Sequence, residues 1–471
     1  MSLTHAIGRA TLWALLGAGA FSAVACSSGP EVADVASVSS QGRVSAPVAL
    51  ALARALEVET GGALPDGVPS RRLEKLRLAF QRAAGAEGGA LHVLATHEPR
   101  LQALPSGRIA ISRGLIASLA TADLRQPLVA GALAHEVAYA SLGYPQADLM
   151  AGVRQAGHER LGASIAPLVS AGEAAPADAA SLAAARDLVI RPLSADGPSL
   201  ARRVAADRLA TRLLARLGYP PQTLERTWGR IARLEDRDPG AYRSFSALHG
   251  SGAERVRSAR LAAKALGRLP ARREVPFSLD LSLLVQADRE RAVLDALAPL
   301  ARAGRSEELE QLLTGEAALR AEATWLALRA RSVAIETLDS EKQAEERKTR
   351  EAALEADLRR LLLRAPLHAQ ARLLLAQRYL SAKRLESARE ELRLLVARSP
   401  LWAEAQLLLA RATPDSAAAR QRAALARHLD TRAGRVAEAA RRFLEGESAD
   451  SVAAPDPSRD RGKRRFLGGG R

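Results

Sequence analysis

Residues 366–376, Pro-Leu-His-Ala-Gln-Ala-Arg-Leu-Leu-Leu-Ala, return as Pro-Leu-Trp-Ala-Glu-Ala-Gln-Leu-Leu-Leu-Ala at 400–410, an offset of 34 residues. This period constrains the fold more than any other feature of the chain. Segments recurring at this spacing are helix–turn–helix units, and each unit is too small to bury its own apolar face, so such units stack. Between the two copies, Tyr379, Ala388, Leu392 and Leu395 fall where large and small side chains must meet. One full unit therefore spans residues 369–402. A partial copy precedes it through Leu354, Leu358, Leu361 and Pro366, and a truncated one follows and breaks at Pro414.

The rest of the chain suits a mainly helical protein. It has 471 residues, is rich in Ala, Leu and Arg, and contains only 3% aromatics, a composition that favours helices. The formal net charge of +16 comes mostly from Arg. No basic block is interleaved with aromatics and no nucleic-acid motif is present, so the charge reads as a solvated surface and no nucleic-acid partner is expected.

The first 25 residues read as an export signal: a short polar start (His5, Arg9), then a small apolar run too short to span a bilayer as a mature helix. Ala23-Val24-Ala25-Cys26 resembles a bacterial lipobox, with Ala23 in place of the usual leucine. Cys26 is the single cysteine, which excludes an internal disulfide and suits a thiol consumed by lipid. The alternative is an ordinary signal peptide with an incidental cysteine. Residues 26–45 read as a flexible tether. Ser27, rather than Asp, follows the cysteine; by the sorting rule of enteric bacteria this resemblance implies the periplasmic face of the outer membrane.

Residues 46–60 and 70–84 pattern as amphipathic helices, 90–95 and 108–112 as short strands, and 199–217 as a strong helix stopped by Gly218-Tyr219-Pro220-Pro221. Between them lies Leu128-Val-Ala-Gly-Ala-Leu-Ala-His135-Glu136-Val-Ala-Tyr139. In an intact His-Glu-x-x-His helix, histidines four residues apart share a face and bind Zn²⁺, and the glutamate activates the metal-bound water. Here Tyr139 replaces the second histidine. A lone His on an apolar helix is otherwise a hydrogen-bonded core residue.

The order of strand, Gly-Leu, helix with His-Glu, spacer, helix with Ala-Asp-Arg, His/Arg segment and tetratricopeptide-type repeats resembles the HtpX/BepA-like zinc metallopeptidases of bacterial envelopes. Membrane relatives of that family include the CAAX prenyl proteases. The likeness covers residues 91–262 and the repeats beyond. It implies that His135 is the first zinc ligand and Glu136 the catalytic glutamate. The family's third ligand is a glutamate four residues before an aspartate; here the helix reads Arg203-Val-Ala-Ala206-Asp207-Arg208, so Arg203 holds the ligand position and Asp207 is retained. Ser246-Ala-Leu-His249-Gly250 and Arg255 resemble a segment near the family's active site, with Gly250 in place of its usual proline.

Zinc is the cofactor this resemblance implies, and loss of two of three ligands predicts that it is not bound. Arginine has no lone pair to offer, and a phenol of pKa about 10 competes poorly for Zn²⁺. Glu136 is expected to pair with Arg203 or Arg255, or Arg203 with Asp207 or solvent. The expected architecture is a signal peptide (1–25), a tether (26–45), a degenerate metallopeptidase-like α+β domain with a small sheet (46–270), a tetratricopeptide-type α-solenoid (271–445) and a disordered basic tail (446–471). The expected function is a lipid-anchored scaffold or chaperone-like factor for envelope proteins. Its client would be held by the repeats and by strand addition along an edge strand, Arg108, Ile109, Ala110, Ile111 and Ser112. The rival is an active zinc endopeptidase with substitute ligands among His158, Asp207 and His249, Glu136 as base, and His249 or Arg255 stabilising the oxyanion. A third option is a helical interaction protein whose middle domain only spaces the repeats from the membrane. Residues 146–192 are a candidate lid.

Overall fold

The computed structural model describes residues 44–62, 68–120, 128–157, 179–190, 199–266, 293–294, 296–313, 320–339, 342–413, 417–430 and 434–445. The readings made on the signal peptide, Cys26, the tether up to residue 43, the basic tail, His158 and residues 158–178 and 191–192 of the candidate lid lie outside them. From Val44 onward the described residues form one compact unit. It is mainly helical with one three-stranded sheet, as the sequence leads one to expect.

The first half runs α1 (Ala46–Glu59), α2 (Val68–Ala84), β1 (Leu91–Leu94), β2 (Leu101–Leu104), β3 (Arg108–Ser112), α3 (Arg113–Leu119), α4 (Leu128–Ser141), α5 (Tyr144–Gln155), α6 (Ala179–Ile190), α7 (Leu200–Arg216), α8 (Thr223–Arg237), α9 (Arg243–His249) and α10 (Gly252–Leu266). β3 lies in the middle of the sheet, parallel to β1 and antiparallel to β2. The expectation that Arg108–Ser112 is an edge strand is therefore corrected: its backbone groups are used by neighbours on both sides, leaving none for a client strand. The edge nearer α4 is β2, whose Leu-Gln-Ala-Leu is too short and too weakly alternating to declare itself in the sequence.

The strands alternate between two cores, because successive side chains point to opposite faces. Val93, Leu101, Ile109 and Ile111 face the core shared by α2, α4, α7 and α8. Leu94, Leu104 and Ala110 face the second, against α1 and α6. From Leu128 to Tyr139 every residue of α4 is buried, so the helix carrying His135 runs through the centre of the first core. Gly131 permits its close crossing with α8: a Cβ there would stand 2.2 Å from Thr227 Oγ1.

The second half continues as α11 (Ser306–Leu312), α12 (Arg320–Glu336), α13 (Ala344–Arg364), α14 (Ala369–Ser381), α15 (Leu385–Arg398), α16 (Ala403–Ala412), α17 (Ala417–Leu429) and α18 (Arg435–Leu444). Each helix packs on the next, so α12, α14 and α16 form one layer and α13, α15 and α17 the other. Tyr379, Ala388, Leu392 and Leu395 fill the core between them. The two halves share a core as well: Leu401, Ala403, Leu425 and Leu429 join the α1/α6 cluster, and Arg186 Nη1 donates to Leu429 O at 2.8 Å.

Candidate functional site

Four elements bring the sequence-predicted residues together. α4 supplies His135 and Glu136, α7 supplies Asp207, the end of α9 supplies His249, and α10 supplies Arg255. All five are buried. Asp207 Oδ1 lies 2.9 Å from His135 Nδ1. Arg255 Nη2 donates to the same carboxylate oxygen at 2.9 Å and lies 3.0 and 3.2 Å from the two ring nitrogens of His135. Its Nη1 donates to His249 O at 2.9 Å. The guanidinium carbon sits 4.1 Å from the centroid of the buried Trp228 ring, and the Phe245 ring packs against His249 at 4.4 Å, tilted by 35°. Trp228 and Phe245 went unnoticed in the sequence, since an aromatic at helical spacing reads as ordinary core.

The electrostatics follow from burial plus one fixed cation. Burial, then the Arg255 charge, pushes His135 down to about 4, against the pull of Asp207. The same two causes push His249 well below its ordinary value. Burial raises Asp207, but Arg255 and His135 outweigh it and hold the carboxyl below its usual range. Burial lifts Glu136 to about 7, against the amide bond from Ala103. The site therefore holds two neutral imidazoles and one buried Arg255–Asp207 ion pair.

Tyr139 and Arg203, the two residues that the resemblance sets at ligand positions, are each engaged elsewhere. Tyr139 donates its phenolic hydrogen to Asp148, which also pairs with Arg202. Burial and the Asp148 charge drive the phenol far above its ordinary pKa, which keeps it protonated at neutral pH. Arg203 forms no ion pair with Glu136 or Asp207; it lies across Gly250, where a Cβ would stand 2.4 Å from its Nη1. Gly250 has φ +76° and ψ 179°, a conformation closed to proline. Arg203 and the glycine at 250 thus fit each other.

The outer edge of β2 is also closed. Ala103 N donates to Glu136 Oε2 at 2.5 Å, and His249 Nε2 donates to Leu101 O at 2.8 Å. The glutamate and histidine expected to work on a substrate instead bond the strand.

Do these residues fit zinc? His135, Glu136 and His249 can each turn one donor atom to within 4.8 Å of the others. That set consumes Glu136 as a ligand and leaves no general base. Nε2 of His135, its free lone pair when Nδ1–H faces Asp207, meets the Arg255 guanidinium instead. A catalytic zinc needs three protein ligands, a water and a separate base, and this arrangement does not fit it. No protein-family model and no curated protein matches the chain.

Proposed function

We propose that this chain is a lipid-anchored envelope protein whose metallopeptidase-like domain has lost zinc and catalysis. It acts as a protein-binding scaffold or chaperone-like factor in envelope protein assembly or quality control. The observation that carries the reading is the double replacement at Tyr139 and Arg203, each built into its own structural network and neither offering a metal donor. Closure of the β2 edge by Glu136 and His249 removes the cleft as a strand-binding site in this state, so clients fall to the helical array. Stacked helix pairs suit that task, because their repeated faces make an extended surface.

One observation favours a second reading, a metal-binding protein: the convergence of His135, Glu136 and His249. Metal content, measured by mass spectrometry after zinc exposure and desalting of protein lacking residues 1–26, separates the two. The scaffold reading expects substoichiometric zinc in the native sequence and a gain in the Tyr139→His/Arg203→Glu double variant. Near-stoichiometric zinc in the native protein, lost on His249→Ala, would overturn it.

A further inference from the structure

The face of the sheet covered by α1 carries a second cluster of charged and polar side chains. His92 of β1 stands beside Ala110, its partner on β3. Arg108, two residues back along β3, shares that face. Glu57 of α1 lies against the ring, with Oε1 2.6 Å from His92 Nδ1. Arg54, one turn earlier, donates to Glu57 Oε2 at 2.6 Å. Glu57 and His92 are both buried. Burial raises the Glu57 carboxyl, but the His92 bond and Arg54 outweigh it and hold the group below its ordinary range. The carboxylate therefore takes the Nδ1 hydrogen, and the other ring nitrogen, Nε2, is left with its lone pair.

What Nε2 meets is Arg108, whose Nη1 stands 3.5 Å away, beyond the usual length of a hydrogen bond. Arg108 has no ion pair among the described residues, and its Nε meets no acceptor. Glu57 is already held by Arg54 and His92. Glu74 is gripped by both arms of Arg77, at 2.7 and 2.8 Å. Burial and then the Arg54 charge depress the half-buried Arg108 guanidinium. Two guanidiniums thus share one carboxylate, beside an imidazole nitrogen that needs a donor. Their complement is small, anionic and able to donate a hydrogen. Sulfate and carboxylates offer acceptors only. Hydrogen phosphate offers acceptors for a guanidinium and a hydroxyl for the imidazole lone pair.

We propose that Arg108, Arg54 and His92 bind inorganic phosphate, whose oxygens accept from Arg108 and whose hydroxyl donates to His92 Nε2. Glu57 acts as the positioning residue that fixes the tautomer of the ring. This site shares no residue with the His135 cluster and stands or falls apart from the scaffold reading.

Calorimetric titration at pH 8 and constant ionic strength, on protein lacking residues 1–26, compares phosphate, sulfate and methyl phosphate. Phosphate is expected to bind saturably and about tenfold more tightly than sulfate. Methyl phosphate, almost fully ionised at this pH, carries the same oxygens without the hydrogen and is expected to bind like sulfate. Arg108→Gln is expected to weaken phosphate about tenfold. His92→Gln, whose amide can donate or accept, is expected to erase the preference between phosphate and sulfate. Thermal melts identify a variant that fails to fold, and one measurement needs no variant. In ¹⁵N spectra of the native protein, the His92 ring nitrogens are expected to shift with added phosphate at the calorimetric affinity, while those of the other histidines stay. Equal binding of phosphate and sulfate, a preference that survives His92→Gln, or a His92 ring that does not respond to phosphate overturns the assignment.

Discussion

At the scale of single residues, the unusual side chains around the buried cluster are matched to their neighbours. Arg203 and Gly250 make the clearest case. Alanine at 250 meets two penalties: a backbone region used almost only by glycine, of order 1–3 kcal/mol, and collision with the Arg203 guanidinium. Only the second depends on Arg203. Gly250→Ala is therefore expected to destabilise the native sequence by at least about 1 kcal/mol more than it destabilises an Arg203→Ala background, measured as a double-mutant cycle by urea unfolding. Additive effects would show that the two positions are not coupled. Glu136 supports a second prediction. Its folded pKa, about 7, lies above the ordinary 4.5. Between these values the folded state holds a proton that the unfolded state has released, so the contribution is fully present below about 4.5 and is lost as pH rises through 7. Glu136→Gln keeps an acceptor for Ala103 N and removes the titration. It is expected to be more stable than the native protein at pH 8, by on the order of 3 kcal/mol, with the gain shrinking toward pH 5. His135 and His249 contribute in the opposite sense, losing stability as pH falls, and their effect is common to both proteins. A pH-independent difference between the two proteins would contradict the assignment.

At the scale of elements, legibility followed the strength of local signals. The helices at 46–59 and 200–216 were readable from apolar periodicity, the second also from Gly-Tyr-Pro-Pro after its last turn. β1 and β3 were readable from their alternation, but not their places in the sheet. Which strand is central depends on β2, four residues with no alternation strong enough to announce them, so β3 was taken for an edge. His135, Glu136, Asp207, His249 and Arg255 lie together in the structure, a long-range grouping that periodicity alone does not supply. Their bonds were not legible. The expected partner of Glu136 was an arginine, whereas the structure gives it the amide of Ala103, an NH on the outer edge of β2 that β3 leaves unpaired. Asp148 and Trp228 gave no sequence signal of their role; each becomes meaningful only once Tyr139 and Arg255 have been placed.

At the scale of the molecule, the helical array and the sheet-bearing part are joined by a repeat position used in two ways. Leu367 and Leu401 are equivalent residues one period apart, yet Leu367 is 66% exposed and Leu401 fully buried. Leu401 enters the α1/α6 core together with Ala403, Leu425 and Leu429, so the second copy of the motif docks the array while the first leaves its leucine in solvent. Burial of apolar area of this kind is what couples two parts of a chain into one cooperative unit. Leu401→Ala is expected to cost about 2–5 kcal/mol, and Leu367→Ala, with little area to lose, about 0.5 kcal/mol or less. Leu401→Asp goes further, placing a charge in a core without a partner. It is expected to split the single thermal transition into two, one for the sheet-bearing part and one for the repeats, while the far-ultraviolet signal of the helices persists at low temperature. If that variant still unfolds in one step at an unchanged temperature, the shared core is not what holds the two parts together. The rigid placement of the array against α1 and α6 would then need another cause, with the Arg186–Leu429 bond the next contact to remove.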